Sequence, residues 1–346
     1  MDSKVIAKAD VAAWLGDLAE KYEVVAPVKD GDVSSFKKIE DVASIDLNLP
    51  TPATKGLREQ FTPETEVLFE YKLSGLQAEL VACELDTKDR LVFGARACDA
   101  AALRYVDAVY SNAQPVDTPY FARREHTALV GMFCGNPAWS CFCTEVNDSL
   151  TKPVEMDVYL TDIGEKYYAE ALTSKGEELM GASQFHEATD ADKQAAEAVR
   201  AKTLENMPKP VNHAEMLGSF DWDHSMWTKL AQKCLGCGAC AYLCPTCHCF
   251  DIQECAQGSK GNRYRCWDTC QFEKFTLMGA GHNPRPTKHE RTRQRVLHKF
   301  KYSPERYEML GCVGCGRCIS ACPVNIDIRR IVNKLEQTDQ EPVPSR

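Results

Sequence analysis

The chain has 346 residues, 44% hydrophobic and 26% charged, with a formal net charge of −9. That balance excludes intrinsic disorder, collagen and coiled coil as the main architecture and leaves a soluble globular protein of about two domains. Its anomaly is 18 cysteines, which in a chain of this length means either a disulfide framework or metal binding.

Taken in order, residues 11–22 read as a helix. Val11, Trp14, Leu15, Leu18 and Tyr22 share one face, and Asp10 stands where an N-cap belongs. Short β-rich runs follow at Glu66–Leu73, Glu79–Leu85, Arg90–Gly94 and Thr127–Phe133. Between the last two, Asp99–Tyr110 is Ala-rich with helical spacing. Strand, tight turn, helix and strand predict an α/β first module. A third, exposed helix is expected over residues 190–205. The two prolines of Asn206–Pro210 mark a linker. These signals divide the chain into an α/β module (1–205), a linker (206–220) and a cysteine-organised module (221–346). Charge divides with them: residues 1–220 sum to −15 and residues 221–346 to +6, with five and thirteen of the cysteines respectively.

The compartment separates the two cysteine readings. No secretory signal is expected, because Lys8 and Asp10 interrupt what would be its apolar stretch. The longest charge-free run, 127–144, contains Gly131, Gly135 and Pro137 and makes a poor membrane span. A cytoplasmic protein keeps its thiols reduced, so clustered cysteines point to metal.

The clusters are explicit. Cys234-Leu-Gly-Cys-Gly-Ala-Cys-Ala-Tyr-Leu-Cys-Pro245 repeats as Cys312-Val-Gly-Cys-Gly-Arg-Cys-Ile-Ser-Ala-Cys-Pro323. Both are C-x2-C-x2-C-x3-C-P, the run that holds [4Fe–4S] clusters, with its last cysteine ligating the other cube. Cluster I is therefore expected on Cys234, Cys237, Cys240 and Cys322, and cluster II on Cys312, Cys315, Cys318 and Cys244. Zinc favours paired C-x2-C hairpins without the proline. The motifs begin 78 positions apart, and the segment between them contains helical patterns, as at 288–302, which favours an α-helical ferredoxin-type dicluster module over the compact β-rich form.

A third cluster site is expected in the first module. Cys98 stands at a helix N-terminus after one strand and Cys134 at the end of the next, and Cys141 and Cys143 follow in the adjoining loop. The ends of neighbouring strands form the site-bearing edge of an α/β sheet. The helix start would favour thiolate at Cys98. Cys83 reads as a small buried hydrophobe within a strand.

Five cysteines remain. Cys247, Cys249, Cys255, Cys266 and Cys270 read by default as structural thiols near cluster I. A further metal site on Cys247, Cys249 and Cys270 is the alternative. The spacings Cys249-x5-Cys255 and Cys266-x3-Cys270 have the form of a sirohaem–cluster motif, but their separation is too short. His248 reads as a hydrogen-bonding neighbour of cluster I. The basic run Arg285–Lys301, seven Lys or Arg against one Glu, is open to three readings: a solvated face, a docking surface for an acidic partner, or nucleic-acid binding. The last is disfavoured by sparse aromatics and overall acidity.

No G-x-G-x-x-G follows a strand and no P-loop occurs, so no dinucleotide site and no bond chemistry are expected here; single-electron transfer is. Phe93-Gly-Ala-Arg-Ala-Cys-Asp99, Tyr120-Phe-Ala-Arg-Arg-Glu-His126, Cys141-Phe-Cys143, Cys244-Pro-Thr-Cys-His-Cys249, Arg285–Lys301 and Cys322-Pro-Val-Asn-Ile-Asp-Ile328 together resemble a family of iron–sulfur subunits. Its branches are sulfhydrogenase β subunits, the A subunit of anaerobic sulfite reductase, and the iron–sulfur subunit of the flavin oxidoreductase associated with heterodisulfide reductase. The resemblance spans roughly residues 65–335. It implies an electron-transfer subunit between a partner that carries FAD and meets NAD(P)H and a catalytic partner, with hydrogenase or heterodisulfide reductase preferred over sulfite reductase. It also implies that Cys98, Cys134, Cys141 and Cys143 act as a set, and that Cys247, Cys249 and Cys270 recur where Cys255 and Cys266 do not. The reading from a different class is a redox-sensing iron–sulfur regulator that binds nucleic acid.

Overall fold

The computed structural model describes residues 3–45, 52–147, 149–207 and 222–335. Among these residues, twelve strands form two sheets. They are β1 (Ser3–Ala7), β2 (Glu23–Asp30), β3 (Val33–Lys38), β4 (Thr65–Ser74), β5 (Gln77–Ala82), β6 (Arg90–Ala95), β7 (Thr127–Met132), β8 (Val158–Asp162), β9 (Lys166–Ala171), β10 (Phe185–Glu187), β11 (Phe250–Gln257) and β12 (Lys260–Trp267). The larger sheet runs β10-β1-β9-β8-β7-β6-β2-β3. Its centre, β8-β7-β6-β2, is parallel.

Every residue of β6 and β7 is buried. That is what a parallel strand covered on both faces demands, and it explains their unbroken apolar runs. Helix Val11–Ala19 lays Val11, Trp14 and Leu15 on one face, against Phe93 and Val130. Helix Ala97–Ser111 lays Ala100, Leu103 and Val106 on the other, against Val92 and Leu129. The first helix is shorter than its periodicity predicts, and the Asp10 side chain makes no cap hydrogen bond. Tyr22 still packs with the same core from beyond the helix end.

The second sheet joins the two halves of the sequence. The hairpin β11–β12 lies between the motifs, ahead of the helical stretch expected at 288–302. It pairs antiparallel with β4 to give the order β11-β12-β4-β5. Alternation in Phe250-Asp-Ile252 and Tyr264-Arg-Cys266 is a period-two signal. Its base is fixed by a buried charge cluster: Arg265 Nε donates to Glu66 Oε2 at 2.6 Å, and Arg123 pairs with the same carboxylate. Cys83 is not mid-strand. It follows β5 and is half-buried.

The C-terminal region is otherwise helical. Helix Lys288–Leu297 opens with a Thr287/Glu290 capping box and continues through a π turn, His298–Tyr302. It packs with Trp227, Ile319, Ile328 and Val332 in a separate apolar core. Helix Asp190–Glu205 forms as its spacing predicts, capped by Thr189 and Asp192. The linker assigned to 206–220 lies almost wholly outside the described residues. No helix among those described is long and apolar enough to cross a membrane.

Candidate metal centres

The two motifs fold alike because their glycines stand in equivalent left-handed positions: φ is +73° and +77° at Gly236 and Gly238, and +67° and +74° at Gly314 and Gly316. A side chain is strained there, so glycine is the residue that permits the loop. Each loop then starts a one-turn helix, Ala239–Tyr242 or Arg317–Ser320. Backbone amides point at sulfur: Gly236 N–H donates to Cys234 Sγ at 3.3 Å, and Ile326 N–H to Cys322 Sγ at 3.2 Å. Such bonds orient and stabilise ligand thiolates.

Cys234, Cys237, Cys240 and Cys322 line one cavity of about 50 Å³, together with Cys318, Leu230, Val296 and Ile331. The thiol of Cys244 contacts Cys247 and lies 3.1 Å from Thr246 Oγ1, and it is also among the groups that raise Cys312 and Cys315 of the second motif. Among the described residues no three His, Cys, Asp or Glu side chains approach as closely as a single metal ion needs. A four-iron cube separates its ligand sulfurs more widely, and thiolate-only donors suit it. The donor chemistry therefore fits [4Fe–4S] clusters: the residues named would hold them, and they would supply one-electron redox chemistry.

In the first module, Cys98 lies in the first turn of its helix after β6, and Cys134 lies two residues beyond β7. Cys134 is among the groups that raise Cys141 and Cys143, and Cys315 and then Cys143 are among those that raise Cys98. The four predicted cysteines therefore stand near one another at the strand ends, beside motif II. The helix start does not lower Cys98. Burial, reinforced by Asp99, pushes its thiol well up. Burial likewise raises Cys141 to about 11 and Cys143 to about 12. Thiols that are costly to ionise alone are the ones a bound cation must deprotonate.

This site abuts motif II. Phe142 N–H donates to Gly314 O at 2.8 Å, and Cys141 Sγ lies 3.8 Å from Cys315 O. A Cβ on Gly314 would stand 2.5 Å from the Cys143 Cα, and one on Gly316 would stand 2.4 Å from Ser140 Oγ. The buried pair Arg317–Asp99, at 2.8 Å, ties the second motif to the helix that carries Cys98.

Four of the seven cations in the basic run are not at the surface. Arg291, Arg293, Arg295 and Lys299 are all buried, which removes the docking and solvated-face readings for these four residues. Arg295 donates to Cys240 O at 3.1 Å. Lys299 Nζ donates to Cys244 Sγ at 3.2 Å, to Thr246 Oγ1 at 2.9 Å and to Gly311 O at 2.8 Å. Arg293 stacks on Trp222, 3.6 Å from its ring centroid. Sequence reading missed this role. The signal was present in the alternation Arg291, Arg293, Arg295 beside Val296 and Phe300, which no wholly solvated helix face requires.

The remaining cysteines differ in their surroundings. Cys247 contacts Cys244, and Cys249 contacts Cys270. Cys270 is held down at about 6, first by the hydrogen bond from Cys249. Cys255 is exposed and Cys266 half-buried, both on the hairpin. The nitrogen Nδ1 of His248 bonds Thr246 O at 3.1 Å, and burial lowers this histidine to about 4.

Comparison with known proteins agrees with this chemistry. A family model described as "4Fe-4S dicluster domain" matches residues 233–326. Over 326 residues the chain is 27% identical to sulfhydrogenase 2 subunit beta of Pyrococcus furiosus, across 92% of this chain and 94% of that protein. No solved structure matches. The resemblance to sulfhydrogenase β subunits read from the motifs is borne out by that similarity, and the chain carries a 4Fe-4S dicluster domain.

Proposed function

We propose that this chain is a three-cluster electron relay within a multi-subunit oxidoreductase. Cluster III is held by Cys98, Cys134, Cys141 and Cys143. Cluster II is held by Cys312, Cys315, Cys318 and Cys244, and cluster I by Cys234, Cys237, Cys240 and Cys322. The C-terminal part is a helical ferredoxin-type dicluster unit with a β-hairpin insert, and the α/β module contributes the third centre. The partners are an FAD- and NAD(P)H-binding subunit and a catalytic subunit of hydrogenase or heterodisulfide reductase type. The relative's name, which denotes one subunit of a sulfhydrogenase, supports that reading.

The observation that carries the relay is the backbone contact Phe142 N–H to Gly314 O. It brings the loop of Cys141 and Cys143 onto the loop of Cys312 and Cys315 with no intervening side chain. The chain's own residues do four things: they supply thiolates, exclude water, donate N–H bonds to sulfur, and place buried cations where negative charge increases on reduction.

Iron and acid-labile sulfide per chain test the reading, on protein purified and reconstituted without oxygen. Three cubes require at least about 12 iron atoms and two require about 8. Cys141→Ser is expected to lower the content by about 4 and leave the two ferredoxin-type signals in place. Unchanged iron in that variant refutes the third centre. The assembly is tested separately: NADH with a co-purifying flavoprotein should reduce the clusters, whereas salt-dependent DNA binding with no such reduction would favour the regulatory class.

A further inference from the structure

The buried cations near the motifs exceed their visible counter-charges. Arg58 is 8% exposed and belongs to the short helix Arg58–Phe61, far from the motifs in sequence. Its NH1 and NH2 reach only the carbonyls of Ala241 and Cys249, both at 3.4 Å, and its Nε has no partner. The guanidinium stacks over Trp267, 3.8 Å from the ring centroid. No carboxylate pairs with it among the described residues. An ionised group taken this far from water requires an opposite charge nearby, since isolated burial costs several kcal/mol.

What lies beside Arg58 is sulfur. Cys249 ends the segment before β11, and Cys270 follows β12, so the hairpin brings both thiols together at its base. Asp268 N–H donates to Cys249 O at 3.1 Å and closes that base. Cys247, whose thiol contacts that of Cys244, is with Cys249 among the thiols acting on Arg58, and its N–H donates to Cys244 O at 3.2 Å. The side chain of Gln271 donates to Cys270 Sγ at 3.5 Å and to Arg291 O at 3.0 Å, a buried amide aimed at sulfur as in the motif loops.

We propose that Cys247, Cys249 and Cys270 hold a fourth iron–sulfur cluster, a cube with three protein thiolates, and that Arg58 is its counter-cation. The charge balances: an oxidised cube core with two positive charges and three thiolates carries one negative charge, which one guanidinium neutralises. Three protein ligands leave one iron for a non-protein ligand, and this differs from the fully ligated centres of the relay. The hairpin that interrupts the dicluster module then has a role, since it carries one ligand at each end. The same reasoning leaves Cys255 and Cys266 without metal, because they sit along the hairpin rather than at its base.

The proposal rests on the relay reading for the other three centres, and the experiment separates the two. Wild-type protein, reconstituted anaerobically with iron and sulfide, should contain about 16 iron atoms per chain. Cys249→Ser and Cys270→Ser should each lose about 4 of these together with one set of electron paramagnetic resonance features. Cys266→Ser, the control on the hairpin, should lose none. A wild-type content of about 12 overturns the fourth cluster and leaves the relay intact; about 8 overturns both. If Cys249→Ser or Cys270→Ser does not fold, the wild-type count and its Mössbauer spectrum still decide. Arg58→Met is expected to bind iron normally at the other centres and lose the fourth cluster's signal first during chelator titration. Equal loss from all centres would refute the pairing of Arg58 with this site.

Discussion

Lys299 offers a direct reading of how the scaffold sets a cluster's potential. Its ammonium is 6% exposed at the residue level, lies 3.2 Å from Cys244 Sγ, and pairs with no carboxylate among the described residues. Beyond burial, its strongest influences are the thiols of Cys244 and Cys247, which hold its proton in place. Reduction of a cube adds one negative charge spread over iron and sulfur. A unit positive charge about 6 Å from the centre of that charge, at an effective dielectric constant of about 20, stabilises the reduced state by about 3 kcal/mol. For one electron this is on the order of 100 mV. Lys299→Met keeps most of the volume and removes the charge. The expected result in a potentiometric titration followed by electron paramagnetic resonance is one midpoint lowered by about 100 mV, the others moved far less, and iron content equal to wild type. Lys299→Arg should recover most of the shift, with imperfect geometry because its planar fork replaces three rotatable donors. A midpoint that stays in place at full iron loading, or one that rises, would show that Lys299 acts as a packing residue and that the field argument is wrong.

Other consequences are equally specific. Gly314→Ala forces a Cβ to within 2.5 Å of Cys143 backbone at a φ of +67°, so a loss of about 2–4 kcal/mol is expected, read as a lower Tm. Gly16→Ala, in helix Val11–Ala19 with nothing within 4 Å of its Cβ, should instead be neutral or stabilising by up to about 1 kcal/mol; equal Tm values for the two variants would sink the packing argument. Acid should destabilise the protein through His248 and His298. Burial is the main cause that lowers each to about 4, against an ordinary value of 6.5. Between those values the unfolded chain binds protons that the folded chain refuses. Stability is therefore retained above pH 6.5 and lost as pH falls toward 4, by about 3 kcal/mol per histidine at most. His248→Gln should flatten part of that slope in denaturant titrations at pH 5 and pH 7, and an unchanged slope would count against the burial argument.

Much of this protein is written locally. Period-two and continuous apolar runs placed β4 to β7, and the alternation of strand and helix gave the α/β class, because both are properties of a few consecutive residues. The doubled C-x2-C-x2-C-x3-C-P run named its chemistry outright, since thiolate spacing and glycine freedom act within a single loop. Cys98 and Cys134 could be placed at one edge because a parallel strand pair puts its C-terminal ends side by side. What the sequence could not assign were relations set by charge and by long-range pairing. The run Arg291–Lys299 looks solvated until thiols and carbonyls surround it, since burying a cation depends on which anions converge from elsewhere in the chain. The division into two modules held for composition but not for backbone pairing: β12 completes a sheet begun by β4 nearly two hundred residues earlier. Arg58 carried no local signal at all. Only the tertiary structure brings it to the base of a hairpin, because the need of a buried guanidinium for a counter-charge has no sequence period.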